Sequence, residues 1–168
     1  LIAYLMGLSI GVHLLNLLAI PAIALVYYFR NYKVTPWGVV GAMLISVAIL
    51  GTVLYGIIPG FVEVASQFEL LFVNGFGFAY NTGMYVYIVL TIAILAWSIF
   101  ETYTQKHYTR MIISFLAAIT IVGIPFFGAN FIMGFLIVGV LTYLFFKYKK
   151  FINARWLNTA LVMITVIL

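Results

Sequence analysis

All eight basic residues of this chain stand in three clusters: Arg30 with Lys33, Lys106 with Arg110, and Lys147, Lys149 and Lys150 with Arg155. The runs between the clusters are long and apolar. Of 168 residues, 67% are hydrophobic and 7% are charged, with a mean hydropathy of +1.26. A soluble domain carries about 25% charged residues, and so few charges cannot cover a globular surface in water. Lipid must solvate much of the exterior, so backbone polar groups have to be satisfied internally, as they are in α-helices. The predicted fold class is all-α: one transmembrane helical domain over residues 1–168, a polytopic bundle of about six to seven helices.

The clusters also predict topology. If the basic loops are cytoplasmic, each stretch between them crosses the bilayer an even number of times. Residues 111–146 suit two short helices, since a span needs about 20 residues. These helices meet at Gly123, Pro125 and Gly128, where Gly and Pro supply the turn. In the stretch 34–105, one helix is predicted over residues 37–58, ending around Pro59 and Gly60, and another returns over residues 84–100. Residues 60–83 then lie on the non-cytoplasmic side with Glu63 and Glu69, while Glu101 sits at the cytoplasmic end beside Lys106. The last segment, 156–168, heads outward again. Residues 1–29 fit either one long tilted helix or two helices that break between His13 and Pro21. The chain opens at Leu1 without Met and closes at Leu168, both within apolar runs, which reads as a piece of a longer polypeptide.

Several chemistries drop out. A net charge of +5 and a pI near 9.5 could suit nucleic acid, but these cations lie in loops between apolar spans, where they set topology rather than form a binding stripe. The absence of cysteine removes thiolate nucleophiles, thiolate metal sites and disulfides. The absence of aspartate removes a Ser-His-Asp triad. His13 and His107 are the two histidines and fall on opposite membrane faces, so neither a metal site nor a cofactor is expected.

The first segment is the most informative. At helical spacing Ser9, His13 and Asn16 share one face, and Gly7 and Gly11 share the opposite one. Two small residues four apart let a second helix approach closely. An imidazole and a carboxamide at membrane depth must face protein or water. Two readings stay open. His13 and Asn16 line a polar cavity that binds an anionic headgroup or relays protons, or they hydrogen-bond neighbouring backbone and fasten helices together.

Residues 61–72 carry a second pattern, with Phe61, Val64, Ala65, Phe68 and Phe72 on one face and Glu63, Ser66 and Gln67 on the other. This is the signature of an amphipathic helix lying in the membrane interface. Glu63 there is either an acid–base or hydroxyl-binding group or one member of a solvated polar face. Residues 74–83, rich in Gly, Asn and aromatics and including Asn81, could hold a sugar or peptide, or serve as turn residues and interface anchors. They lack the Gly-Lys-Ser/Thr ending of a phosphate loop.

The run from Gly7 through Gly11, His13 and Asn16 to Pro21 resembles a signature of GT-C-type membrane glycosyltransferases, in which a Gly-rich helix ends in a polar residue and a second helix turns back through Pro. Together with Phe78-Ala79-Tyr80-Asn81-Thr82-Gly83, it is similar to a bacterial membrane-protein family catalogued as a domain of unknown function. That family in turn resembles an animal transmembrane protein O-mannosyltransferase. The resemblance implies sugar transfer from a polyprenyl-phosphate-linked donor to a hydroxyl of a protein acceptor, on the non-cytoplasmic face of a multi-pass bacterial inner-membrane protein. It places the catalytic acid in an outer loop upstream of Leu1, so no catalytic residue is expected within residues 1–168. His13 stands where many relatives carry a lysine near the lipid phosphate, which implies a phosphate-binding role for His13 and Asn16. Glu63, Gln67 and Asn81 become candidates for acceptor-side contacts. Two other classes compete: a transporter segment, which needs polar residues converging from several helices at mid-membrane, and a structural membrane subunit without catalysis.

Overall fold

The computed structural model describes residues 5, 17, 19–126, 131–149 and 152–168. The described residues form six helices and no strand. They are α1 (Ala19–Asn31), α2 (Pro36–Gly75), α3 (Thr82–Thr104), α4 (Tyr108–Ile121), α5 (Phe131–Lys147) and α6 (Ala154–Ile167). Helices α2 and α3 are long and apolar enough to cross a membrane, whereas α4, α5 and α6 are apolar but shorter. Helix α1 opens with Pro21 in its first turn, where a missing N–H leaves no hydrogen bond unmade. Whether residues 1–29 hold one helix or two falls on positions outside the described residues.

Helix α2 corrects the predicted break near Pro59. The helical path runs from Pro36 through Gly75 without a loop, and its two widened turns span Thr52–Ile57 and Leu71–Gly75. In the first of them the Ile58 N–H reaches back five residues to the Val53 carbonyl. A proline deletes one i→i−4 bond and crowds the preceding turn. A π-type turn just before it absorbs that extra backbone, so Pro59 sits near the start of the next regular stretch, Ile58–Leu70. At about 1.5 Å per residue the 40-residue path is roughly twice as long as the ~30 Å hydrocarbon layer is thick.

The amphipathic stretch 61–72 is therefore a continuation of α2 and not a separate helix. The apolar face expected to lie in the membrane interface is taken up by protein. Val64 is buried with Tyr87 and Phe126, and Phe61, Ala65 and Phe68 pack around them. Both Phe61 and Phe68 tilt against the Tyr87 ring, with centroids 5.1 and 5.2 Å away, and the Tyr87 hydroxyl donates to the Ile121 carbonyl at 2.8 Å. Phe72 instead joins Phe76 and Phe78 in a ring cluster beyond the helix end.

Helices α4 and α5 form the predicted pair. Between them Gly123, at φ +87°, reverses the chain, and Pro125 is buried just after it; residues 127–130 of the expected turn lie outside the described residues. The larger core gathers Ile112, Leu116, Ile119 and Val122 from α4 and its end, Leu157, Leu161 and Ile164 from α6, and Leu95 from α3.

The helix ends sort by charge. At one end Arg110 pairs with Glu101, the Tyr108 hydroxyl donates to the Phe145 carbonyl, and Asn158 donates to Thr102. At the same end Trp156 packs edge-on against Tyr27, and the Tyr28 hydroxyl donates to the Lys33 carbonyl. These ties place the helix ends that carry Arg30, Lys33, Lys106, Arg110, Lys147, Lys149 and Arg155 at one end of the bundle, as one layer. Glu63 and Glu69 lie toward the other end, where Gly60 meets Gly123 and Gly83 meets Phe68.

Candidate functional site

The acidic end is built on close backbone approach. A Cβ on Gly83 would stand 2.6 Å from the Glu69 Cα and would overlap the Phe68 carbonyl, so α2 and the start of α3 touch through backbone. That proximity lets one carboxylate from α2 serve the N-terminus of α3. Glu69 Oε1 accepts from the Asn81 N–H at 2.5 Å, and its Oε2 accepts from the Met84 N–H at 3.0 Å. Asn81 itself holds a left-handed conformation at φ 69° and makes no side-chain cap. Glu69 takes over the cap, placing negative charge where helix N–H groups are unpaired.

Glu69→Ala is expected to cost about 1–2 kcal/mol, the range for a lost cap with a favourable dipole contact. The measurement is amide exchange at Asn81 and Met84, which should quicken there while α5 is unaffected. Unchanged protection at both amides would mean that another group caps α3.

Glu63 is half-buried on α2 and accepts from the Gln67 side-chain amide at 3.2 Å, one turn later. Gln67 is exposed and reaches the rim of an apolar groove of about 380 Å³. Phe68, Ile94, Ala117, Phe126 and Phe135 are among its walls, so α2, α3, α4 and α5 all contribute. The hydroxyl of Thr120, another lining residue, is already spent on the Leu116 carbonyl, and the Gln67 amide already donates to Glu63. Among the described residues no basic side chain lines this groove. Of the sequence-predicted candidates, Glu63 and Gln67 are thus brought together beside a cavity. Asn81 belongs to the Glu69 cap, with its side chain exposed. His13 and Asn16 lie outside the described residues.

A second polar cluster, at the basic end, was not singled out from the sequence. Glu101 is 3% exposed and accepts from Arg110 Nη2 at 2.6 Å, and Trp97 Nε1 donates to the same oxygen at 3.3 Å. On the next face of α3, Thr102 receives Asn158 Nδ2 at 2.9 Å and donates toward the Ser98 and Ile99 carbonyls. Asn158 is the signal the sequence offered: a carboxamide in the first half of an apolar terminal helix. Arg110 follows Glu101 by nine residues across a helix corner, a spacing with no periodic signature.

Residues 1–36 match the family described as Protein O-mannosyl-transferase TMEM260 N-terminal domain, a match covering 36 of the 168 residues. Comparison with curated proteins and with solved structures gave no match.

Proposed function

We propose that this chain is membrane-embedded machinery of a glycosyltransferase of the protein O-mannosyltransferase type, using a polyprenyl-phosphate-linked sugar. The observation that carries the reading is the match of residues 1–36 to a family named for that activity. Two helices long and apolar enough to cross a membrane are consistent with a lipid-soluble donor. In this reading the protein crosses a bacterial inner membrane several times in the GT-C manner, with its basic layer in the cytoplasm and its acidic end outside.

The groove under Gln67 suits the hydrocarbon part of such a donor, since its walls are almost wholly apolar and offer nothing to water. Among the described residues no cation lines it, so nothing there pairs with the phosphate. That part of the donor falls instead to His13, protonated or as a single N–H donor, with Asn16 as a second donor. In the transfer, the acceptor hydroxyl oxygen bonds to the anomeric carbon as the sugar–phosphate bond breaks. Its proton passes to a carboxylate upstream of Leu1, and the phosphate leaves with the electron pair. Glu63 and Gln67 supply acceptor-side contacts at the groove rim.

The test is His13→Ala in the complete enzyme, assayed for transfer of labelled sugar from polyprenyl phosphate to an acceptor peptide. Turnover should fall about ten-fold, the worth of one hydrogen bond to a charged group, with folded yield unchanged. Equal loss of activity and of folded protein would make His13 a packing residue and remove the phosphate role.

A further inference from the structure

The basic layer carries more charge than its own structure uses. Among the described residues, six of its seven cations have no carboxylate within ion-pair reach; Arg110 is the exception. Two of the six are held in place by aromatic faces instead. Lys147 Nζ lies 5.3 Å from the Tyr143 ring centroid and 5.7 Å from that of Tyr148. Lys149 Nζ lies 5.6 Å from Tyr108 and 5.8 Å from Phe146. The Tyr108 ring is itself fixed by its hydroxyl bond to the Phe145 carbonyl. Contact with a ring face restrains an ammonium group but consumes none of its three N–H donors, so both lysines keep their hydrogen-bonding capacity.

The surroundings decide what those donors meet. Helix α5 leads up to Lys147 with Leu136, Val140, Tyr143 and Leu144 exposed along its length. A partner that satisfies this surface must be apolar beside α5 and anionic at its C-terminal end. Exposed rings around the layer, Tyr103 at 80%, Trp156 at 62% and Tyr143 at 62%, have the amphipathic character of side chains that sit at headgroup level. A folded acidic protein would match the charge but not the adjoining apolar helix wall, and nucleic acid would match neither the wall nor the scattered rings.

We propose that the basic end is a docking surface for anionic phospholipids, with Lys147 and Lys149 holding the headgroup phosphate and the acyl chains lying along α5. This surface is independent of the groove at the opposite end and of the transferase reading. It concerns headgroups of the surrounding bilayer rather than a sugar donor.

The test is native mass spectrometry of the full chain in detergent, titrated separately with phosphatidylglycerol and phosphatidylcholine. A basic residue near an anionic surface is worth about a five-fold change in binding, so the wild type should prefer phosphatidylglycerol by at least about five-fold. K147Q/K149Q should lower that preference at least about five-fold, while helical circular dichroism matching the wild type reports that the variant is folded. No preference in the wild type, or a preference that survives K147Q/K149Q, overturns the proposal.

Discussion

Gly123→Ala should destabilise the fold by roughly 3 kcal/mol or more, because two separate costs fall on one methyl group. The first is conformational. Gly123 sits at φ +87°, where an L side chain is strained by about 1–2 kcal/mol. The second is packing. A Cβ there would lie 2.9 Å from the Gly60 Cα and would overlap the Gly60 carbonyl, and these atoms belong to the backbone of α2 and cannot rotate away. Overpacking of a close contact costs about 1–3 kcal/mol. Gly60→Ala meets the same contact from the other side, 2.7 Å from the Gly123 carbonyl carbon, but without the left-handed strain, so it should cost less. Because both methyls push the same two backbones apart, the double variant should lose less than the sum. Denaturation from mixed micelles orders the three variants. If Gly123→Ala is no worse than Gly60→Ala, the strain at the α4–α5 turn is not what the geometry indicates.

That contact also explains what the sequence could and could not disclose. The Gly and Pro residues from 123 to 125 mark the turn, because Gly admits the φ +87° found at Gly123 and Pro lacks the N–H that would continue a helix. The sequence pattern gives Gly60, with Pro59, the same appearance of a helix end. Its purpose is different: it lacks a side chain so that α2 can meet a turn 63 residues away, and no local pattern distinguishes these uses. The three basic clusters are plain in the sequence because they are the only places where cations interrupt the apolar runs. The described members of all three meet in one layer. The paired helices at 108–121 and 131–147 follow from segment length alone. The apolar face of Phe61, Val64, Ala65 and Phe68 was recognisable by its period. Its partner was not, since Tyr87 and Phe126 reach it only through the tertiary fold. Glu69 was visible only as an acid in an outer segment, because capping a helix that begins at Thr82 depends on Gly83 letting two backbones touch.

The second large effect concerns Glu101. It stands in the last turn of α3, and Arg110 in the first turn of α4. Each charge is therefore at the unfavourable end of its own helix dipole, and the pair is favourable only because the two helices bring these ends within 2.6 Å. The burden is unequal, with Glu101 3% exposed and Arg110 60%. Removing the arginine strands a buried carboxylate with one Trp97 hydrogen bond, whereas neutralising the glutamate leaves a guanidinium already in contact with solvent. A fully buried pair that loses a partner costs roughly 3–5 kcal/mol. Solvent around Arg110 reduces this, so Arg110→Met should cost about 2 kcal/mol and Glu101→Gln about 1 kcal/mol or less. Glu101→Gln introduced into Arg110→Met should restore more than half of the loss, since the amide needs no counter-charge and still accepts from Trp97. The double-mutant cycle, read by denaturation in mixed micelles, isolates the coupling. A Glu101→Gln loss larger than that of Arg110→Met would assign the carboxylate a stabilising partner other than Arg110, and the corner between α3 and α4 would then be held by its apolar contacts and the Asn158–Thr102 bond.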